Sequence, residues 1–177
     1  MLRIGLLGAG FIANIHSKAL RYVGGALVAA VGGARAHKCE GIAREWEADV
    51  CESADELIQR EDIDAVDICL PGFLHREWTE KAAGAGKHVF CEMPMALTVQ
   101  DCDAMLAAAK EAGVRLMVGQ CLRFWPAYQA LGQFVASGEL GKLEAISMRR
   151  NGARPEWSRW YKESCAAREL LIYDVDV

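Results

Sequence analysis

At 177 residues, 53% apolar and 25% charged, the chain has the size and balance of one globular domain with the start of a second. Its formal charge of -4 argues against nucleic acid, which calls for a basic face, and no apolar run reaches the length of a membrane helix. Seven cysteines, an odd number with no C-x-x-C pair, exclude a disulfide framework and a zinc ribbon, so reduced cytoplasmic thiols are expected.

The N-terminus lacks the features of a secretory leader and is expected to open a strand over residues 2–7. A glycine turn follows, then a helix over 11–22 that Gly24 and Gly25 stop. Residues 26–31 predict a strand, 37–46 a helix and 48–51 a short strand. Ser53-Ala54-Asp55-Glu56 is a capping box, whose Ser and Glu side chains satisfy backbone N–H groups at a helix start. Residues 65–70 form an apolar strand, interrupted only by Asp67 and ended by Pro71. A helix over 76–83, a strand over 88–91, a helix capped by Thr98 and ending at Gly113, and a strand over 115–119 complete the alternation. Beyond it the pattern predicts a helix over 127–137, an antiparallel strand over 143–150, a Trp-rich loop over 154–161 and a helix over 166–177.

Strands alternating with helices at this spacing mean βαβ units, and hence an α/β doubly wound parallel sheet with right-handed crossovers. The non-alternating strands fit a sheet covered on both faces. Residues 1–122 are expected to form this first domain, and 123–177 the start of a second.

Gly8-Ala9-Gly10-Phe11-Ile12-Ala13 matches G-x-G-x-x-G/A between a strand and a helix, where it predicts a Rossmann dinucleotide site. Gly8 permits the tight turn, Gly10 admits a pyrophosphate, and the helix start offers N–H groups to the anion. The second strand ends on Gly32-Gly33-Ala34-Arg35 without the carboxylate that usually holds the NAD ribose. Arg35 is either a partner for the 2′-phosphate of NADP or a solvated loop residue.

Four segments carry a family resemblance: the glycine turn, Asp67-Ile68-Cys69-Leu70-Pro71, the run from Val89 through Glu92-Met93-Pro94 to Thr98, and Gly119-Gln120-Cys121-Leu122-Arg123-Phe124. Together they resemble the Gfo/Idh/MocA oxidoreductases, near the inositol dehydrogenases, over essentially the whole chain. The resemblance implies an NAD(P)-binding Rossmann domain, a C-terminal substrate domain, a homo-oligomer, and hydride transfer between nicotinamide and inositols or sugar polyols. It places Gly8, Ala9, Gly10, Phe11, Ile12, Arg35, Leu70, Pro71, His75, Glu92 and Pro94 along the cofactor. Its catalytic Lys, Asp and His fall on Met93, Glu169 and Tyr173. Met cannot hold charge, and Tyr titrates near 10, too high for a base at neutral pH.

These changes, with the end at Val177, predict a truncated, degenerate or engineered Rossmann unit with little or no turnover and weak cofactor binding. Two other readings stand beside it: an active NADP-dependent dehydrogenase using Tyr173 as acid/base, and a non-redox interaction domain with an emptied nucleotide cleft. Cys69, Cys91 and Cys121 end neighbouring strands, where they are either a nucleophile or soft-metal set or, as expected, packing residues. His75 either lines the nucleotide site or caps a helix, while His16 and His88 are expected to be structural and His37 a surface residue. Trp125, Trp157, Trp160 and Leu170 are expected on a self-association surface.

Overall fold

The computed structural model describes residues 1–33, 35–139, 141–147 and 149. It divides into two compact units, Met1–Gly119 and Gln120–Val177.

The first unit is a six-stranded sheet with every pairing parallel: β1 (Leu2–Leu7), β2 (Ala26–Gly32), β3 (Asp49–Val50), β4 (Ala65–Ile68), β5 (His88–Cys91) and β6 (Leu116–Val118). The order β3-β2-β1-β4-β5-β6 is that of the Rossmann fold, with the direction of winding reversing between β1 and β4. Helices α1 (Phe11–Leu20), α2 (Ala36–Trp46), α3 (Ala54–Gln59), α4 (His75–Gly84) and α5 (Val99–Glu111) make the crossovers.

Apolar strands demand cover on both faces, and the sheet has it. One core gathers Leu6, Val28, Val31 and Cys69 with Ala13 of α1 and Cys39 and Ile42 of α2. The other gathers Leu7, Val66, Ile68, Val89 and Cys91 with Leu57 and Ile58 of α3, Ala82 of α4 and Met105 of α5. Burying each large aliphatic side chain among them contributes roughly 1.5–3 kcal/mol.

The expected caps are in place. Ser53 Oγ accepts from the Glu56 N–H at 3.0 Å, and Glu56 Oε2 accepts from the Glu52 N–H at 2.6 Å, one residue before the position a reciprocal box would use. Thr98 Oγ1 accepts from the Asp101 N–H at 3.1 Å. Helix α1 ends two residues short of expectation, because Arg21 and Tyr22 close it with tighter bonds to Lys18 O and Ala19 O.

In the second unit Pro126 opens α6 (Pro126–Ser137), and Gly138 closes it in the left-handed conformation at φ +73°. Of the strand expected over 143–150, the described residues 143–147 and 149 lie in no regular element. Alternating polarity makes a strand only where a second strand bonds to it, and among the described residues none pairs with this stretch. The loop over 154–161 and the helix over 166–177, with Trp157, Trp160, Glu169, Leu170 and Tyr173, lie outside the described residues.

Candidate functional site

In an open α/β sheet, ligands bind at the carboxyl ends of the strands where the winding reverses. Here that edge is built from the residues after β1, β4 and β5.

After β1 the chain turns at Gly8, whose φ of +110° suits glycine alone. A Cβ there would stand 2.5 Å from the carbonyl oxygen of Cys69, and the Gly8 N–H donates to Gly32 O at 2.8 Å. Gly10 is different: a Cβ on it would meet nothing within 4 Å. Gly10 is the N-cap of α1 and has no side chain to occupy the first-turn amides. Ala9 is buried, Phe11 is exposed, and Ile12 packs on the α1 face. A tight turn, an open approach at Gly10 and a helix start aimed past it fit a pyrophosphate. Arg35 stands exposed as the N-cap of α2, with Gly32 and Gly33 before it and no carboxylate at the end of β2.

After β4, Leu70 and Pro71 are half-buried, and a short helical turn at Gly72–Leu74 leads into α4. His75 is fully buried, its Nδ1 2.8 Å from Pro94 O and its Nε2 2.8 Å from Leu70 O. It lies at the start of α4 and acts inside the fold, tying two loops together. After β5, Glu92 is nearly buried and the Met93–Pro94 peptide is cis.

Cys69 packs in one core and Cys91 in the other, on opposite faces of the sheet, while Cys121 belongs to the second unit. Cys69 and Cys91 do not converge as a ligand set. Burial pushes both the Cys69 and Cys91 thiols up, so neither is a ready nucleophile. His37 is exposed, and His88 Nδ1 accepts from the Arg115 N–H at 3.1 Å.

The residue that sequence reasoning undervalued is His16. It projects from α1 between two carboxylates, with Nδ1 2.9 Å from Asp67 Oδ2 and Nε2 2.9 Å from Glu92 Oε1. The Phe90 ring lies 5.5 Å away, and Cys69 Sγ is 3.3 Å from Nδ1. Burial disfavours the charged ring, but the bonds and charges of Asp67 and Glu92 outweigh it and raise His16 from 6.5 to about 10. The signal was present in Asp67, a carboxylate in an apolar strand that burial obliges to find a partner.

Residues 2–120 match the family described as an oxidoreductase family with an NAD-binding Rossmann fold. Inositol 2-dehydrogenase of Rhizobium meliloti (strain 1021) is 33% identical, over 99% of this chain and 53% of its own length. A crystal structure from Sinorhizobium meliloti 1021, of a protein assigned as a myo-inositol dehydrogenase, superposes with a TM-score of 0.86 at 35% identity, over 99% of this chain and 54% of that one. The WlbA dehydrogenase of Bordetella pertussis, solved with NADH and UDP-GlcNAcA, gives 0.76 at 28% identity, over 80% of this chain and 41% of that one. The chain spans about half the length of these relatives.

Proposed function

The chain belongs to the Gfo/Idh/MocA oxidoreductase family, and from that premise we propose that it binds a nicotinamide dinucleotide along the edge after β1, β4 and β5, with little turnover of inositols or sugar polyols. The observation that carries this reading is the contrast at the glycine turn, where Gly8 is locked by its neighbours and Gly10 faces open space. Bound there, the nicotinamide ring supplies the hydride acceptor or donor. The chain's own residues do the rest: the start of α1 binds the pyrophosphate, and Arg35 meets a 2′-phosphate where one is present. No carboxylate at the end of β2 favours NAD, so binding is weak and NADP is held no worse than NAD.

Hydride leaves a carbinol carbon only as its hydroxyl proton departs, which needs a base and a group to steady the alkoxide. Met93 can do neither. Glu92 is already engaged, since Oε1 accepts from His16 and Oε2 from the Met93 N–H at 2.9 Å. Slow chemistry follows from these two residues.

Calorimetric titration with NAD and NADP tests the reading. Binding of both, with Arg35→Ala weakening NADP selectively, supports it. Absence of binding by either nucleotide rejects it in favour of the non-redox interaction domain. We also propose a reducing, cytoplasmic setting, supported by six described cysteines outside any disulfide. A homo-oligomer is supported by the exposed Phe124, Trp125, Leu131 and Phe134 in the second unit, and sedimentation as a strict monomer would defeat it. Among the described residues no helix is long and apolar enough to cross a membrane.

A further inference from the structure

Asp67 and Cys69 are two residues apart along one extended segment, so their side chains leave the same face of the sheet. Helix α1 brings His16 over that face. His16 Nδ1, Asp67 Oδ1 and Cys69 Sγ then form a triangle with edges of 3.1, 3.3 and 3.4 Å. We propose that these three atoms are ligands for a thiophilic divalent cation of the zinc type, with Glu92 orienting the histidine from behind.

The size of the triangle is the first argument. Zinc bonds of about 2.0–2.3 Å at tetrahedral angles place neighbouring N, O and S ligands about 3.3–3.6 Å apart. The three atoms need to open by only a few tenths of an ångström. The second argument is independent of the triangle. A metal-binding histidine characteristically donates its other N–H to a carboxylate, which fixes the ring and raises its basicity. Nε2 meets Glu92 Oε1 at 2.9 Å, and Glu92 is itself fixed through Oε2 by the Met93 N–H.

The charge balance also permits the exchange. Without the ion, the imidazolium and the Cys69 thiol both direct protons at Asp67. A bound dication displaces one proton from Nδ1 and one from Sγ to solvent, leaving the charge of this nearly buried pocket unchanged. A coordinating thiol is deprotonated outright by the ion, so its raised resting state is no obstacle. The mix of thiolate, imidazole and carboxylate suits zinc rather than magnesium or calcium. Three protein ligands leave the fourth tetrahedral position open.

The test uses the full chain, stripped with chelator and free of nucleotide, so that it is independent of the dinucleotide reading. Zinc titrated by calorimetry is expected to bind one ion per chain. Cobalt(II) in its place is expected to show a thiolate charge-transfer band that Cys69→Ser removes. Asp67→Asn and His16→Gln are expected to weaken zinc at least tenfold, and Glu92→Gln by about ten- to a hundredfold. Circular dichroism confirms that each variant folds. Cys121→Ser, which removes an exposed thiol, is expected to bind as the parent does. A parent chain with no zinc uptake, or with no cobalt–thiolate band, overturns the site whatever the variants do. Undiminished zinc binding in Cys69→Ser or Asp67→Asn, or its loss in Cys121→Ser, places the ion elsewhere and overturns it equally.

Discussion

His16 Nε2 lies 2.9 Å from Glu92 Oε1, joining α1 to the end of β5 across 76 positions of sequence. In chelator-treated protein this link makes stability depend on pH. The folded ring, at about 10, sits above the 6.5 of the unfolded chain. Its contribution is therefore complete below about pH 6.5, falls progressively above it, and is gone once pH passes about 10. Urea midpoints measured from pH 6 to 10, on parent and His16→Gln, should converge towards the alkaline end. Parallel curves would remove His16 from the account.

Gly8 and Gly10 should respond in opposite ways to the same methyl group. Gly8→Ala forces a Cβ onto the Cys69 carbonyl at a φ that L residues avoid, and a loss of at least about 1–3 kcal/mol is expected. Gly10→Ala meets no neighbour, so stability should change by less than about 1 kcal/mol while dinucleotide affinity falls. Denaturation paired with calorimetry separates the two, and unchanged affinity in Gly10→Ala would dismiss the pyrophosphate cradle.

Lys87 is a buried cation whose Nζ donates to Arg60 O at 2.7 Å and Ile63 O at 2.8 Å. Lys87→Met keeps much of the side chain's volume but leaves both carbonyls without that donor. A loss of about 1–3 kcal/mol in urea denaturation is expected. An unchanged midpoint would mean that water replaces the ammonium without cost.

Polyol oxidation should be negligible. Losing one acid–base partner costs a factor of about a hundred to ten thousand, and position 93 carries no ionisable group. A panel of inositols and sugar alcohols with NAD and NADP, followed at the nicotinamide absorbance, is the measurement. Clear turnover that disappears in Tyr173→Phe would reverse this expectation and make Tyr173 the acid/base.

Most of the first unit was legible because its strands are apolar runs of fixed length and its helices announce their starts. Ser53 and Thr98 mark two helix starts within one residue, and Gly24-Gly25 mark the stop after α1. The segment over 143–150 was less legible, because its alternation describes a face without saying whether a partner lies beside it. The glycine turn was legible for a similar local reason: its residues are contiguous. The grouping around His16 was not, since it assembles α1, β4 and β5 through parallel pairing that only the folded sheet brings together. Asp67 alone advertised it.

The bridge made by His75 has a mechanical consequence. Its ring lies between Leu70 O and Pro94 O, so the loops after β4 and β5 both pack against one buried imidazole. A ligand laid along that edge meets a floor already set, and little loop freedom remains to be surrendered on binding. On the proposed reading, preorganisation on this edge would partly offset the affinity that the end of β2 forgoes by lacking a carboxylate. Removing the ring with His75→Ala should cost affinity through entropy before it costs any contact.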